Sequence, residues 1–133
     1  VLGVTVLTSY GEEDCQQVFS CSTRAGVLKF AHMAKLAGLP GLISYPNEAK
    51  MLLGRKELVF SLNTPGIRPE WTVVQNDDQV RTMTPAQAIE AGVDRIVIGR
   101  PITGARPNNH GLPATPREAV ERTLEEITTA VMS

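Results

Sequence analysis

Short apolar strand-like runs alternate with helical segments along this chain, and that alternation constrains its fold more than any other feature. Residues 2–7, 41–44, 58–62 and 94–98 read as strands. Helical patterns fill most of the intervals between them. Strands separated by helices pair in parallel through crossovers, which argues for an α/β fold built of βα units. With 133 residues the chain supplies about four such units. Four units do not close a barrel, which takes about 250 residues. An open parallel sheet this narrow leaves unpaired backbone on both edges and apolar faces that need cover.

The helical segments carry their own punctuation. Residues 12–19 predict a short helix, with Glu12, Glu13 and Asp14 as a solvated first turn. Residues 23–37 predict a longer one, with Val27, Ala31 and Ala34 on one face and Gly38 to stop it. Residues 46–53 read as a third. Thr84-Pro85-Ala86-Gln87 is a strong helix start: Thr84 is the N-cap, Pro85 suits the first helical position, and Gln87 completes a capping box. That helix ends near Ala91-Gly92. Thr115-Pro116-Arg117-Glu118 repeats the logic and opens a closing helix over 116–131. Its stripe of Val120, Leu124, Ile127 and Val131 predicts a core-facing surface. Residues 64–69 and 105–115 are too rich in Pro, Gly or Asn for regular structure.

Bulk properties exclude several function classes. The net charge of −1 creates no field to recruit nucleic acid or an anionic membrane, and no basic patch accompanies the aromatic residues. No apolar run approaches the ~18–20 residues of a membrane span, and no signal-peptide pattern is present. Cys15 and Cys21 lie six apart without a C-x-x-C pair or nearby His, so neither a disulfide nor a metal site is expected, and a reducing, cytoplasmic setting fits. His32 and His110 have no partners spaced for a triad or a metal. No P-loop or dinucleotide fingerprint occurs. The chain opens on Val1 and runs straight into strand-like sequence, which reads as a cut.

The chemistry concentrates where strands end. Ile96-Val97-Ile98 runs into Gly99-Arg100-Pro101. Gly99 allows a ligand close to the backbone, and the Arg100 guanidinium matches phosphate oxygens. Thr8, Arg68 and Arg100 all follow predicted strands at their C-terminal ends, the ligand-binding face of parallel α/β folds. Gln79 lies in the long loop between the last two strands and can reach that face. Arg68, Arg100 and Gln79, with backbone N–H groups at Gly66 and Gly99, make a candidate phosphate cradle.

Four segments, in order, resemble one family: Val4-Thr5-Val6-Leu7-Thr8-Ser9, Thr64-Pro65-Gly66-Ile67-Arg68-Pro69, Asp78-Gln79-Val80-Arg81-Thr82-Met83-Thr84-Pro85, and Val97-Ile98-Gly99-Arg100-Pro101-Ile102-Thr103. Together they resemble the C-terminal half of orotidine 5′-phosphate decarboxylase, from Val1 to about Ala105, and the final helix fits the barrel's closing one. The resemblance implies one partial domain over 1–133: the last four βα units of a (β/α)8 TIM barrel. It implies that Thr8 touches the pyrimidine base and that Arg68, Gln79, Gly99 and Arg100 hold the 5′-phosphate. It further implies a cytoplasmic homodimer, without metal or organic cofactor, that converts orotidine monophosphate to uridine monophosphate and CO2.

The chain also departs from that family. The loop from Arg68 to Gln79 is about two residues longer than expected and carries Trp71. Asp77-Asp78 replaces a more usual Gly-Asp, and the extra acid is expected to face solvent or pair with Arg81. Most importantly, the family's Asp-x-Lys-x-x-Asp motif, whose Lys protonates the carbon that loses CO2, is absent. Lys29, Lys35, Lys50 and Lys56 are the only lysines, and all lie in helical or inter-helical stretches. The expectation is a fragment that grips phosphate and base but does not decarboxylate alone. Two other readings are a sugar-phosphate barrel enzyme akin to hexulose-phosphate synthase, and a stand-alone half-barrel that dimerises and only binds a phosphate ligand.

Overall fold

The computed structural model describes residues 1–72, 82–107 and 111–132. Its elements run β1 (Gly3–Val4), α1 (Glu12–Phe19), α2 (Thr23–Leu36), β2 (Gly41–Ile43), α3 (Pro46–Leu53), β3 (Ser61–Thr64), α4 (Pro85–Glu90), β4 (Arg95–Ile96), α5 (Arg100–Thr103) and α6 (Pro116–Met132). The four strands form one parallel sheet in the order β1-β2-β3-β4. Chain order and spatial order coincide, as successive βα units require.

Local chemistry sets the helix ends. The Ser22 hydroxyl accepts from Ala25 N–H at 3.2 Å and starts α2. Gly38, at φ 69°, follows its end. Thr84 and Gln87 exchange bonds as a capping box: Gln87 N–H to Thr84 Oγ1 at 3.2 Å, and Thr84 N–H to Gln87 Oε1 at 3.0 Å. At α6, Thr115 Oγ1 accepts from Glu118 N–H, while the Glu118 carboxylate reaches one residue further back, to Ala114 N–H at 2.7 Å. The acidic start of α1 is solvated as expected, and two of its carboxylates also bond backbone. Asp14 accepts from Gly11 N–H and Glu12 from Thr23 N–H.

The core lies between the sheet and its helices. Val27, Ala31 and Ala34 of α2, Leu42 of β2, Ala49 and Leu52 of α3, Leu62 of β3 and Ala88 of α4 are all buried. A Cβ built on Gly3 would meet Ala34, Leu39 and Leu42 at 3.1–3.2 Å, so this glycine lets α2 sit close against β1. Only one face of the sheet is covered this way. Val4, adjacent to Gly3 and so on the opposite face, is half exposed, as is Val97 just beyond β4.

Three expectations change. The strands are shorter than the apolar runs, and β3 begins three residues later than predicted. Leu58 closes a turn onto Arg55 (N···O 2.8 Å), which takes the start of that run out of the ladder. Pairing nonetheless continues past the regular strands, through Thr5 N–H to Ile43 O and Val97 N–H to Thr64 O. Second, Arg100–Thr103 is helical rather than a simple turn. Pro101 sits in its first turn, where the missing N–H costs nothing. Third, the predicted stripe of α6 does not face the core. Val120, Leu124 and Val131 are exposed and Ile127 is half buried. The buried positions are Ala119 and Thr123, small residues that let α6 pack closely on α4 and α5.

Candidate functional site

In a parallel sheet every strand ends on the same side, so the segments after β1, β3 and β4 emerge on one rim. Thr8 lies in the turn after β1, where Tyr10 N–H bonds Leu7 O at 2.9 Å, and it is buried. Arg68 follows β3 in the Pro-rich loop. That loop is pinned to the segment before α4 by a parallel bridge, Ile67 to Met83. Arg68 N–H donates to Met83 O at 2.9 Å, and Met83 N–H to Gly66 O at 3.2 Å. Gly66 has φ 79°, a left-handed conformation that favours glycine. Ile67 and Pro69 are fully buried on either side of half-buried Arg68. The loop therefore holds Arg68 by its neighbours, and the guanidinium bonds Ile67 O at 2.9 Å.

Gly99 and Arg100 follow β4. Gly99 is the N-cap of α5, and its carbonyl accepts from Ile102 and Thr103 N–H. A Cβ built on Gly99 would meet nothing within 4 Å. Its φ of −104° lies outside the left-handed region. Arg100 is exposed at the first position of α5. Gln79, together with Asp77, Asp78 and Arg81, lies outside the described residues, as does His110.

The strand order decides which groups meet. β3 and β4 are adjacent, with Thr64 opposite Ile96, so the loops bearing Arg68 and Gly99-Arg100 leave side by side. Thr8 leaves from the opposite edge, three strand spacings or roughly 14 Å across the sheet. The rim thus has a cationic end and, separately, a small buried hydroxyl. All four lysines are exposed and lie on or just after α2 and α3, away from this rim.

Two features escaped sequence reasoning. The Trp71 ring lies beneath the Arg122 guanidinium, 5.5 Å from the ring centroid, tying the start of the long loop to α6. Between them opens a cleft of about 610 Å³, whose walls include Glu70, Gln87 and Glu126. Ser44 and Thr64 are the second. They occupy neighbouring positions at the ends of β2 and β3, and their buried hydroxyls make no protein hydrogen bond. Alternation along a strand could have placed them, but not left them unpaired. Cys15 is buried in the core, and both cysteines are free thiols. Among the described residues no group of His, Cys, Asp or Glu is arranged to hold a metal ion. No described helix is long and apolar enough to cross a membrane.

The model of the orotidine 5′-phosphate decarboxylase / HUMPS family matches residues 1–112. The chain belongs to that family. Among its curated relatives, the orotidine 5′-phosphate decarboxylase of Actinobacillus pleuropneumoniae serotype 5b (strain L20) is 47% identical over 107 residues, covering 80% of this chain and 46% of the relative. That of Geobacter sp. (strain M21) is 38% identical over 128 residues, covering 96% and 49%. The crystal structure of orotidine 5′-phosphate decarboxylase from Lactobacillus acidophilus superposes with a TM-score of 0.68 at 34% identity, over 95% of this chain and 48% of that one. An uncharacterized conserved protein from Geobacillus kaustophilus gives 0.66 at 28% identity, over 95% and 47%. The chain spans about half the length of the curated relatives it matches. Its four parallel strands and helices are thus half of a family barrel.

Proposed function

We propose that this chain is the phosphate- and base-holding C-terminal half of an orotidine 5′-phosphate decarboxylase, the last four βα units of its barrel. Arg68, Gly99, Arg100 and Gln79 hold the 5′-phosphate, and Thr8 meets the pyrimidine. The observation that carries this reading is the adjacency of β3 and β4, from which Arg68 and Gly99-Arg100 emerge together. The separation of Thr8 from that pair suits a ligand with phosphate at one end and base at the other. The curated relatives, named as orotidine 5′-phosphate decarboxylases, favour this over a hexulose-phosphate synthase.

The reading assigns the complete enzyme to the cytoplasm as a homodimer acting on a nucleotide monophosphate, without metal or cofactor. It makes the 133-residue chain alone inactive. Phosphate binding supplies energy that drives chemistry only where a reacting group can use it. Here no lysine stands near the rim. Calorimetry with uridine monophosphate and uridine, beside an orotidine monophosphate decarboxylation assay, tests this. The monophosphate should bind and uridine should bind far more weakly. Arg68→Ala should lower affinity roughly 10- to 100-fold, the size of a lost charged hydrogen bond. Turnover by the purified chain would overturn the inactivity, and equal binding of nucleoside and nucleotide would overturn the phosphate grip.

A further inference from the structure

We propose that the buried hydroxyl of Tyr45 is a positioning group for Arg68, acting through the Thr82–Met83 peptide. The role of Arg68 in this rests on the phosphate reading, while the clamp itself rests on hydrogen bonds alone.

Tyr45 follows β2 and is 4% exposed. Its backbone N–H donates to the Glu48 carboxylate at 3.2 Å, and Pro46 opens α3 directly after it. A residue before proline is held to extended backbone, and Tyr45 has φ −73° and ψ 146°. Ala49 and Leu52 then bury α3 in the core. The phenol therefore stands on a stiff base. A buried phenol ordinarily finds a hydrogen-bond partner. This one donates to Thr82 O at 2.9 Å, thirty-seven residues along the chain.

Thr82 O and Met83 N–H belong to one planar peptide group, whose C=O and N–H point in opposite directions. Tyr45 holds the carbonyl from one side. Gly66 O accepts from the N–H on the other, at 3.2 Å. Met83 O in turn accepts from Arg68 N–H at 2.9 Å, and Ile67 bridges Met83 in parallel. Hydrogen bonds linked through a peptide polarise and strengthen one another. A line of bonds thus runs from Tyr45 through Thr82–Met83 to the Arg68 backbone. All of these groups lie between β2 and α4. Arg68 is half buried between fully buried neighbours, so its amide fixes where the side chain begins. A shift of ~0.5 Å there is enough to loosen a grip on phosphate.

Tyr45→Phe removes the hydroxyl and keeps the ring. It is compared with Arg68→Ala in the complete enzyme proposed above, by amide hydrogen exchange and by calorimetry with uridine monophosphate. In Tyr45→Phe the Met83 and Arg68 amides should exchange about 3- to 10-fold faster, the size of one lost hydrogen bond. Leu62 N–H, held by Asp94, should keep its rate. Affinity for uridine monophosphate should fall about 3- to 10-fold, less than in Arg68→Ala. Unchanged exchange at Met83 and Arg68 would overturn the clamp. So would an equal rise at Leu62, which marks general destabilisation. Weaker binding in Arg68→Ala with full affinity in Tyr45→Phe would end the positioning role and leave the phosphate grip standing. Full affinity in Arg68→Ala would remove the grip, and the positioning role with it.

Discussion

Gly99 and Gly66 flank the cationic end of the rim for different reasons, and substitution separates them. Gly99 has open space around it and a φ outside the left-handed region, so Gly99→Ala should cost less than the Gly66 substitution, under about 1 kcal/mol. If a phosphate approaches there, the new methyl group should weaken uridine monophosphate binding while the chain stays folded. Unchanged affinity would remove Gly99 from the site. Gly66 has φ 79°, so Gly66→Ala should cost about 1 kcal/mol or more in a urea titration and also displace Arg68. Thr84→Ala gives a reference, because it removes one half of the capping box at α4. The expected loss is about 1 kcal/mol with little effect on binding. The helix cap at Thr84 was legible in the sequence, because it depends on bonds within four residues of itself.

At the scale of elements, contacts between distant segments take over. Asp94 precedes β4, and its carboxylate accepts from Leu62 N–H at 2.7 Å, while Asp94 N–H returns a bond to Leu62 O at 3.1 Å. Asp94→Ala leaves the Leu62 amide without that acceptor and should destabilise the chain by about 1–3 kcal/mol, read from chemical denaturation. A change near zero would show that water replaces the carboxylate freely. The Trp71–Arg122 contact ties the long loop to α6 across about fifty residues of sequence. Trp71 is the only tryptophan, so Arg122→Ala should shift its fluorescence directly. The expected cost is about 0.5–1 kcal/mol, that of an exposed cation–π contact. Neither pair could be predicted from spacing, because nothing local links an acid or an arginine to a partner thirty to fifty residues away. The reversed face of α6 has the same origin. Its periodicity announced an amphipathic helix, but close packing on α4 selected Ala119 and Thr123 instead of the larger aliphatics.

For the whole molecule, the deciding quantity is unsatisfied surface. Among the described residues β1 pairs only with β2 and β4 only with β3, and Val120, Leu124 and Val131 of α6 are exposed. A chain in this state should show concentration-dependent association, and its apparent stability should rise with protein concentration if that association is specific. Thermal melts over a hundredfold concentration range check this. A melting temperature independent of concentration would mean that the exposed edges contribute nothing to assembly.

The sequence by itself determined the alternation of strand and helix, the helix ends, and the two arginines and one threonine that follow strands. Capping residues, prolines and apolar periodicity act over a few residues, so they can be read without a fold. Tertiary structure alone decided that β3 adjoins β4, so that Arg68 and Gly99-Arg100 leave together while Thr8 stands at the far edge. It also decided that Arg100 opens a short helix and that α6 buries its small residues. These outcomes depend on which distant surfaces meet, and the free energy of that meeting is not contained in any short stretch of chain.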